Sequence, residues 1–122
     1  MIQTVLLLQD SQDVSGLSES LFEALASSSQ QLDIEQQKSD FVDTHRSVFA
    51  FSESVSRVRP DVVFLLVAKD STKDASVLIP LIKQQQPNLP LIVVIEACEP
   101  VEMFALLELV QPESVYWFHP AP

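Results

Sequence analysis

The residues able to do chemistry in this chain are few, and most of them follow apolar runs. Asp10 comes directly after Val5-Leu-Leu-Leu-Gln9, Asp70 and Asp74 follow Arg59-Pro-Asp-Val-Val-Phe-Leu-Leu-Val67, and His119 follows Val115-Tyr-Trp-Phe118. A carboxylate at the end of a buried strand is placed to ligate a hard divalent cation. Such an ion takes several oxygen ligands, however, and Asp10 supplies only part of a set. Asp10 is therefore a weak metal candidate, and with Ser11 and Asp13 it more simply offers helix-capping oxygens. Asp70 and Asp74 could add ligands, but both equally suit the start of the next helix, where the dipole favours anions. His119 beside Pro120 could hydrogen-bond across the strand end or respond to pH. His45 has no second histidine or cysteine near it at ligand spacing. Cys98 lies among Glu96 and Glu99, whose charge disfavours a nucleophilic thiolate.

What is missing narrows the function further. Gly16 is the only glycine, and loops that cradle phosphates need glycines for close backbone approach. A dinucleotide fingerprint and a P-loop are thereby excluded, no cofactor is expected, and the chain does not read as an enzyme. With 7 basic and 17 acidic residues the formal net charge is −10, which repels phosphate backbones and anionic membrane surfaces. Direct nucleic-acid or membrane binding is not expected. No apolar run approaches the ~20 residues that cross a bilayer, and residues 1–8 lack the basic start of a signal peptide. A single cysteine suits a reducing compartment, so the expected location is the cytoplasm. At 122 residues and 47% hydrophobic composition, the chain suffices for one domain, 1–122, with its own core.

The elements that must position these residues alternate regularly. Residues 3–8, 60–67, 91–95 and 115–118 read as strands, the second and third of them apolar on both faces and so suited to a sheet covered on both sides. Leu32 and Ile34 alternate with polar neighbours, as in a short, half-exposed edge strand, and the polar residues 36–46 after it read as a loop. Leu17, Leu21, Ala24, Leu25 and Ser28 follow a helical period. Val48, Phe51, Val55 and Val58 do likewise, in a helix that stops at Arg59 before Pro60. A third stripe, Val77, Leu78, Leu81 and Ile82, contains Pro80, so this helix is expected to start late or be irregular. Glu99-Pro100 opens a fourth helix carrying Val101 and Phe104. The order βαβαβαβαβ predicts an α/β three-layer sandwich with a five-stranded parallel sheet, ordered 2-1-3-4-5 in flavodoxin-like fashion. The chain stops where a fifth helix would follow, so one sheet face is expected to carry only the first helix, its apolar surface left open or covered by a helix supplied elsewhere.

In strand order and local pattern nearly the whole chain resembles the CheY-like receiver domain of two-component response regulators. Val5-Leu-Leu-Leu-Gln9-Asp10 resembles the strand that ends in paired, magnesium-binding acids. Pro60-Asp-Val-Val-Phe-Leu-Leu66 resembles the strand that ends in the phosphoacceptor aspartate. Leu89-Pro-Leu-Ile-Val-Val-Ile95 resembles the strand that ends in a threonine or serine, and Tyr116-Trp-Phe-His119-Pro120 the one with a switch aromatic and a Lys-Pro pair. At the positions that carry the chemistry this chain has Gln9, Asp10, Leu66, Ile95 (or Glu96 one residue on) and His119. Aspartyl phosphorylation needs a carboxylate nucleophile beside a cation, and Leu66 is an alkyl group.

The resemblance thus implies a degenerate pseudo-receiver, expected to be part of a longer signalling protein such as a transcription regulator. It would work without phosphorylation, through self-association or a linked effector domain, with Val101, Phe104, Tyr116 and Trp117 as interface candidates. The segment around Gln36 to Arg46, longer than in the family, marks a place for its own specificity. Two alternatives are a working receiver that uses Asp61 or Asp70 as acceptor, and, more weakly, a small flavodoxin-like ligand-binding domain with its site at the C-terminal strand ends.

Overall fold

The computed structural model describes residues 3–11, 16–27, 31–68, 71–96 and 108, with only the backbone of Leu17 and of 115–118. The expected helix from Pro100, with Val101 and Phe104, therefore lies outside the described residues, as do Asp13, Asp70, Cys98 and His119. The ordered elements are β1 (Thr4–Asp10), α1 (Leu17–Ala26), β2 (Asp33–Ser39), α2 (Thr44–Val58), β3 (Val62–Val67), α3 (Thr72–Gln85) and β4 (Leu91–Glu96). The strands form a parallel sheet in the order β2-β1-β3-β4, an α/β arrangement compatible with a flavodoxin-like fold. The backbone of Val115–Phe118 runs parallel to β4, from Val93↔Val115 to Glu96↔Phe118.

The register explains the layers. Leu6 lies beside Val63 and Val63 beside Leu91, so alternate residues of the central strands share one face. On that face Leu6, Leu8, Val63, Leu65, Val67, Val93 and Ile95 pack with Phe51 of α2 and with Ala75, Leu78, Ile79 and Ile82 of α3. The opposite face carries Val5, Leu7 and Val62, against which Leu21 and Leu25 of α1 pack. Among the described residues α1 is the helix on this second face, and there Phe64 and Ile92 remain half-buried while Val63, Leu65 and Val93 are fully buried. Continuous apolar strands follow from this two-sided cover.

Several boundaries differ from the sequence-based expectation. β2 continues through Gln36, Gln37, Lys38 and Ser39, which pair with Leu7 to Asp10, so the first four residues of the expected long loop are strand. An edge strand needs few apolar residues, because the β1 backbone satisfies its inner edge and solvent its outer one. The second helix begins at Thr44, where the Oδ1 of its N-cap, Asp43, accepts from the Arg46 N–H at 3.2 Å. The true connection is thus residues 40–43. α2 ends at Val58, and Arg59 takes a left-handed conformation (φ 52°) as its C-cap. α3 starts early, at Thr72, and runs through Pro80. Proline removes the donor that the Ser76 carbonyl would use, and Pro80 stands on the exposed side of the helix. Val77, expected in the buried stripe, is 54% exposed, and Ala75, Leu78, Ile79 and Ile82 form the buried face instead. The N-cap of α1 is Gly16 at φ 81°, a left-handed backbone that favours glycine, in place of the expected side-chain oxygens. Ala24 of the same helix is exposed.

Candidate functional site

Parallel strands bring their C-terminal ends to one edge of the sheet, the usual place for a site in such folds. Gln9 and Asp10 end β1, Leu66 lies next to the end of β3, and Ile95 and Glu96 end β4. The structure thus brings four of the five sequence-predicted positions to this edge, with Gln9 in register beside Leu66, Leu66 beside Val94, and Val67 beside Ile95.

Each of these side chains is committed to packing or hydrogen bonding. Leu66 is fully buried with Val94, against Leu21 of α1 and the partly buried Phe64 and Ile92. Ile95 is fully buried on the other face, in the core beneath α2 and α3. Gln9 is buried, and its Oε1 accepts from Gln36 Nε2 of β2 at 2.8 Å. Asp10 is buried as well. Its Oδ1 accepts the Phe41 N–H at 3.4 Å and its Oδ2 accepts the Ser71 hydroxyl at 2.9 Å. The carboxylate therefore ties the end of β1 to the connection before α2 and to the residue that caps α3. Anionic acceptors make the stronger hydrogen bonds, and this one replaces hydration that the buried group has lost.

Among the described residues no group of three or more histidine, cysteine, aspartate or glutamate side chains is placed to hold a metal ion. Asp74 lies in the first turn of α3, where it complements the helix dipole. Asp40 Oδ1 accepts the Val42 N–H at 3.0 Å, and its carbonyl takes the Ser47 hydroxyl at 2.7 Å. His45 is exposed in the first turn of α2. The backbones of Tyr116 and Trp117 lie beside Val94 and Ile95, and their side chains are outside the described residues.

Phe41 and Ser71, the described partners of Asp10, were not singled out from the sequence. The available signal for Phe41 was weak: one aromatic residue in a polar stretch, here 1% exposed and part of the main core. A cavity of about 340 Å³, lined by Phe51, Val63, Ile82, Lys83, Gln86, Pro87, Leu89 and Leu91, lies toward the N-terminal ends of β3 and β4. It is thus not at the edge where the ligand-binding alternative expects a site.

Asp61, one suggested acceptor, also belongs to the opposite edge. Its Oδ2 accepts from the backbone N–H groups of Gln3 at 2.7 Å and Thr4 at 2.9 Å, fastening β3 to the start of β1. The Gln3 N–H foremost, then that of Thr4, hold this carboxyl below the ordinary aspartate range. Because the folded-state pKa is lowered, the stabilisation is fully present above the ordinary value of about 3.9 and is lost as pH falls through the lowered one. Asp61→Ala is accordingly expected to destabilise the protein at neutral pH. Urea titrations at successive pH values should show the gap from wild type closing on acidification, and a gap constant down to low pH would refute the clamp.

Neither a scan against protein-family models nor a search of the curated proteins finds a match to this chain.

Proposed function

We propose that the chain is a phosphorylation-independent, receiver-like regulatory module, which acts in the cytoplasm by contact with a second copy or with a linked effector domain, as in the control of transcription. The fold that goes with this reading is the five-stranded, flavodoxin-like sheet ordered 2-1-3-4-5, with Val115–Phe118 as the edge strand. One observation carries the reading: the place where the resembling family receives phosphate holds Leu66, fully buried against Val94 and α1. An alkyl side chain offers no nucleophile, and the neighbouring Asp10 serves as a structural acceptor for Phe41 and Ser71. The framework of a receiver without its chemistry leaves surfaces as the means of signalling.

The test is direct. Incubation with magnesium and acetyl phosphate, followed by intact-mass measurement, should add no phosphoryl group, and the melting temperature should not move. Stoichiometric phosphorylation, mapped by peptide sequencing to Asp61, Asp70 or another aspartate, would overturn the proposal and favour a working receiver with an unusual acceptor.

A further inference from the structure

α2 turns Ser47, Phe51 and Ser54 into the protein. Its opposite side, sampled every three to four residues, carries Arg46, Phe49, Glu53 and Ser56, with Val42 just before the helix, and all of them are exposed. Phe49 is 66% and Val42 71% exposed, the two most exposed large apolar residues among those described. Phe49 also borders a shallow depression of about 600 Å³, floored by the small side chains of Ser52 and Ser56 and edged by Glu53 and Arg57. An aromatic knob and a shallow hole thus lie on the same helix face.

Such a face is self-complementary about a two-fold axis, since one patch meets its own copy in the isologous arrangement. Arg46 and Glu53 are seven residues apart, about 10.5 Å along the helix. A second α2 laid antiparallel over the segment between them brings each arginine within reach of the partner's Glu53. Among the described residues the Arg46 side chain makes a long, exposed contact to Asp43, at 3.8 Å, whereas Arg57 is drawn toward β2 by Glu35 at 3.2 Å. Charge favours this face for a second reason. Copies with a net charge of −10 repel each other, but from Val42 to Arg57 the acids Asp43 and Glu53 are balanced by Arg46 and Arg57.

We infer that the outer face of α2 is a homodimer contact, in which Phe49 of each copy packs against Phe49 and Ser52 of the other near the two-fold axis and Arg46 pairs with the partner's Glu53. The occupant is thus a second copy of this chain. The inference rests on the reading of the chain as a contact module and gives that contact a place.

Sedimentation velocity over a concentration series tests it. Wild type should form a concentration-dependent dimer. Phe49→Asp should raise the dissociation constant at least about thirtyfold, as expected for a central aromatic anchor, with unchanged circular dichroism because the side chain is exposed. Arg46→Glu and Glu53→Arg should each weaken the dimer, and the double variant Arg46→Glu/Glu53→Arg should recover most of the loss, which general destabilisation cannot do. A wild type that stays monomeric, a dimer indifferent to Phe49→Asp, or a charge exchange without recovery would each overturn the inference. A dimer lost in Trp117→Ala but not in Phe49→Asp would overturn this surface while keeping the contact module, whereas phosphate uptake from acetyl phosphate would sink the module itself.

Discussion

Replacing Leu66 by aspartate, the residue type of the receiver family at this position, is expected to destabilise the protein by about 4–5 kcal/mol rather than to create a phosphorylation site. Leu66 is 0% exposed and packs with Val94, Leu21, Phe64 and Ile92. The substitution removes a buried alkyl group and puts a carboxylate among hydrocarbon, and both changes act in the same direction. Domains of this size are held by roughly 5–15 kcal/mol in all, so the variant should be barely folded at neutral pH. Leu66→Ala separates the two effects, because it leaves a cavity without a charge and should cost about 2–5 kcal/mol. A carboxyl in apolar surroundings has a raised pKa, and the charged form above that pKa is what destabilises. The aspartate variant should therefore gain on the alanine variant as pH falls. Denaturant titrations of both variants at neutral and acidic pH provide the comparison. A Leu66→Asp protein that melts with the wild type and takes up phosphate would contradict the packing described above.

The strands that hold Leu66 in place were plain in the sequence because both of their faces are buried. Val62 to Val67 and Leu91 to Ile95 are unbroken apolar runs, and helices pack on the two sides of the sheet accordingly. β2 was harder to read for the opposite reason. In Asp33–Ser39 the cohesion comes from the β1 backbone and from side chains such as Gln36, which bonds Gln9, so polarity masked its second half. Pro80 misled in another way. The proline penalty is a lost hydrogen bond and a steric clash with the preceding turn, and on the exposed side of α3 it did not prevent a helix that starts at Thr72. At the site, the positions of Gln9, Asp10, Leu66 and Ile95 at strand ends were legible from local pattern. What Asp10 does was not, because its partners lie 31 and 61 residues away and neither belongs to a recognisable motif.

Asp10→Ala should therefore cost about 2–4 kcal/mol, for reasons of structure and not of metal binding. The substitution leaves the Phe41 N–H and the Ser71 hydroxyl without their acceptor in a buried setting, and an unsatisfied buried donor costs more than a hydrogen bond contributes on balance. Phe41 belongs to the main core, so loosening its backbone also loosens the approach to α2. Ser71→Ala removes one of these contacts and should cost about 1–2 kcal/mol. Because both residues share one bond, the double variant should fall short of the sum of the single ones by about 1 kcal/mol. Amide exchange adds a local readout: the Phe41 amide should lose protection in Asp10→Ala by more than the global loss of stability explains. Magnesium discriminates between the two roles of the carboxylate. A ligand that binds only the folded state raises the melting temperature, so a clasp predicts no shift with magnesium in wild type or variant. A shift in wild type that vanishes in Asp10→Ala would instead make this aspartate a metal ligand.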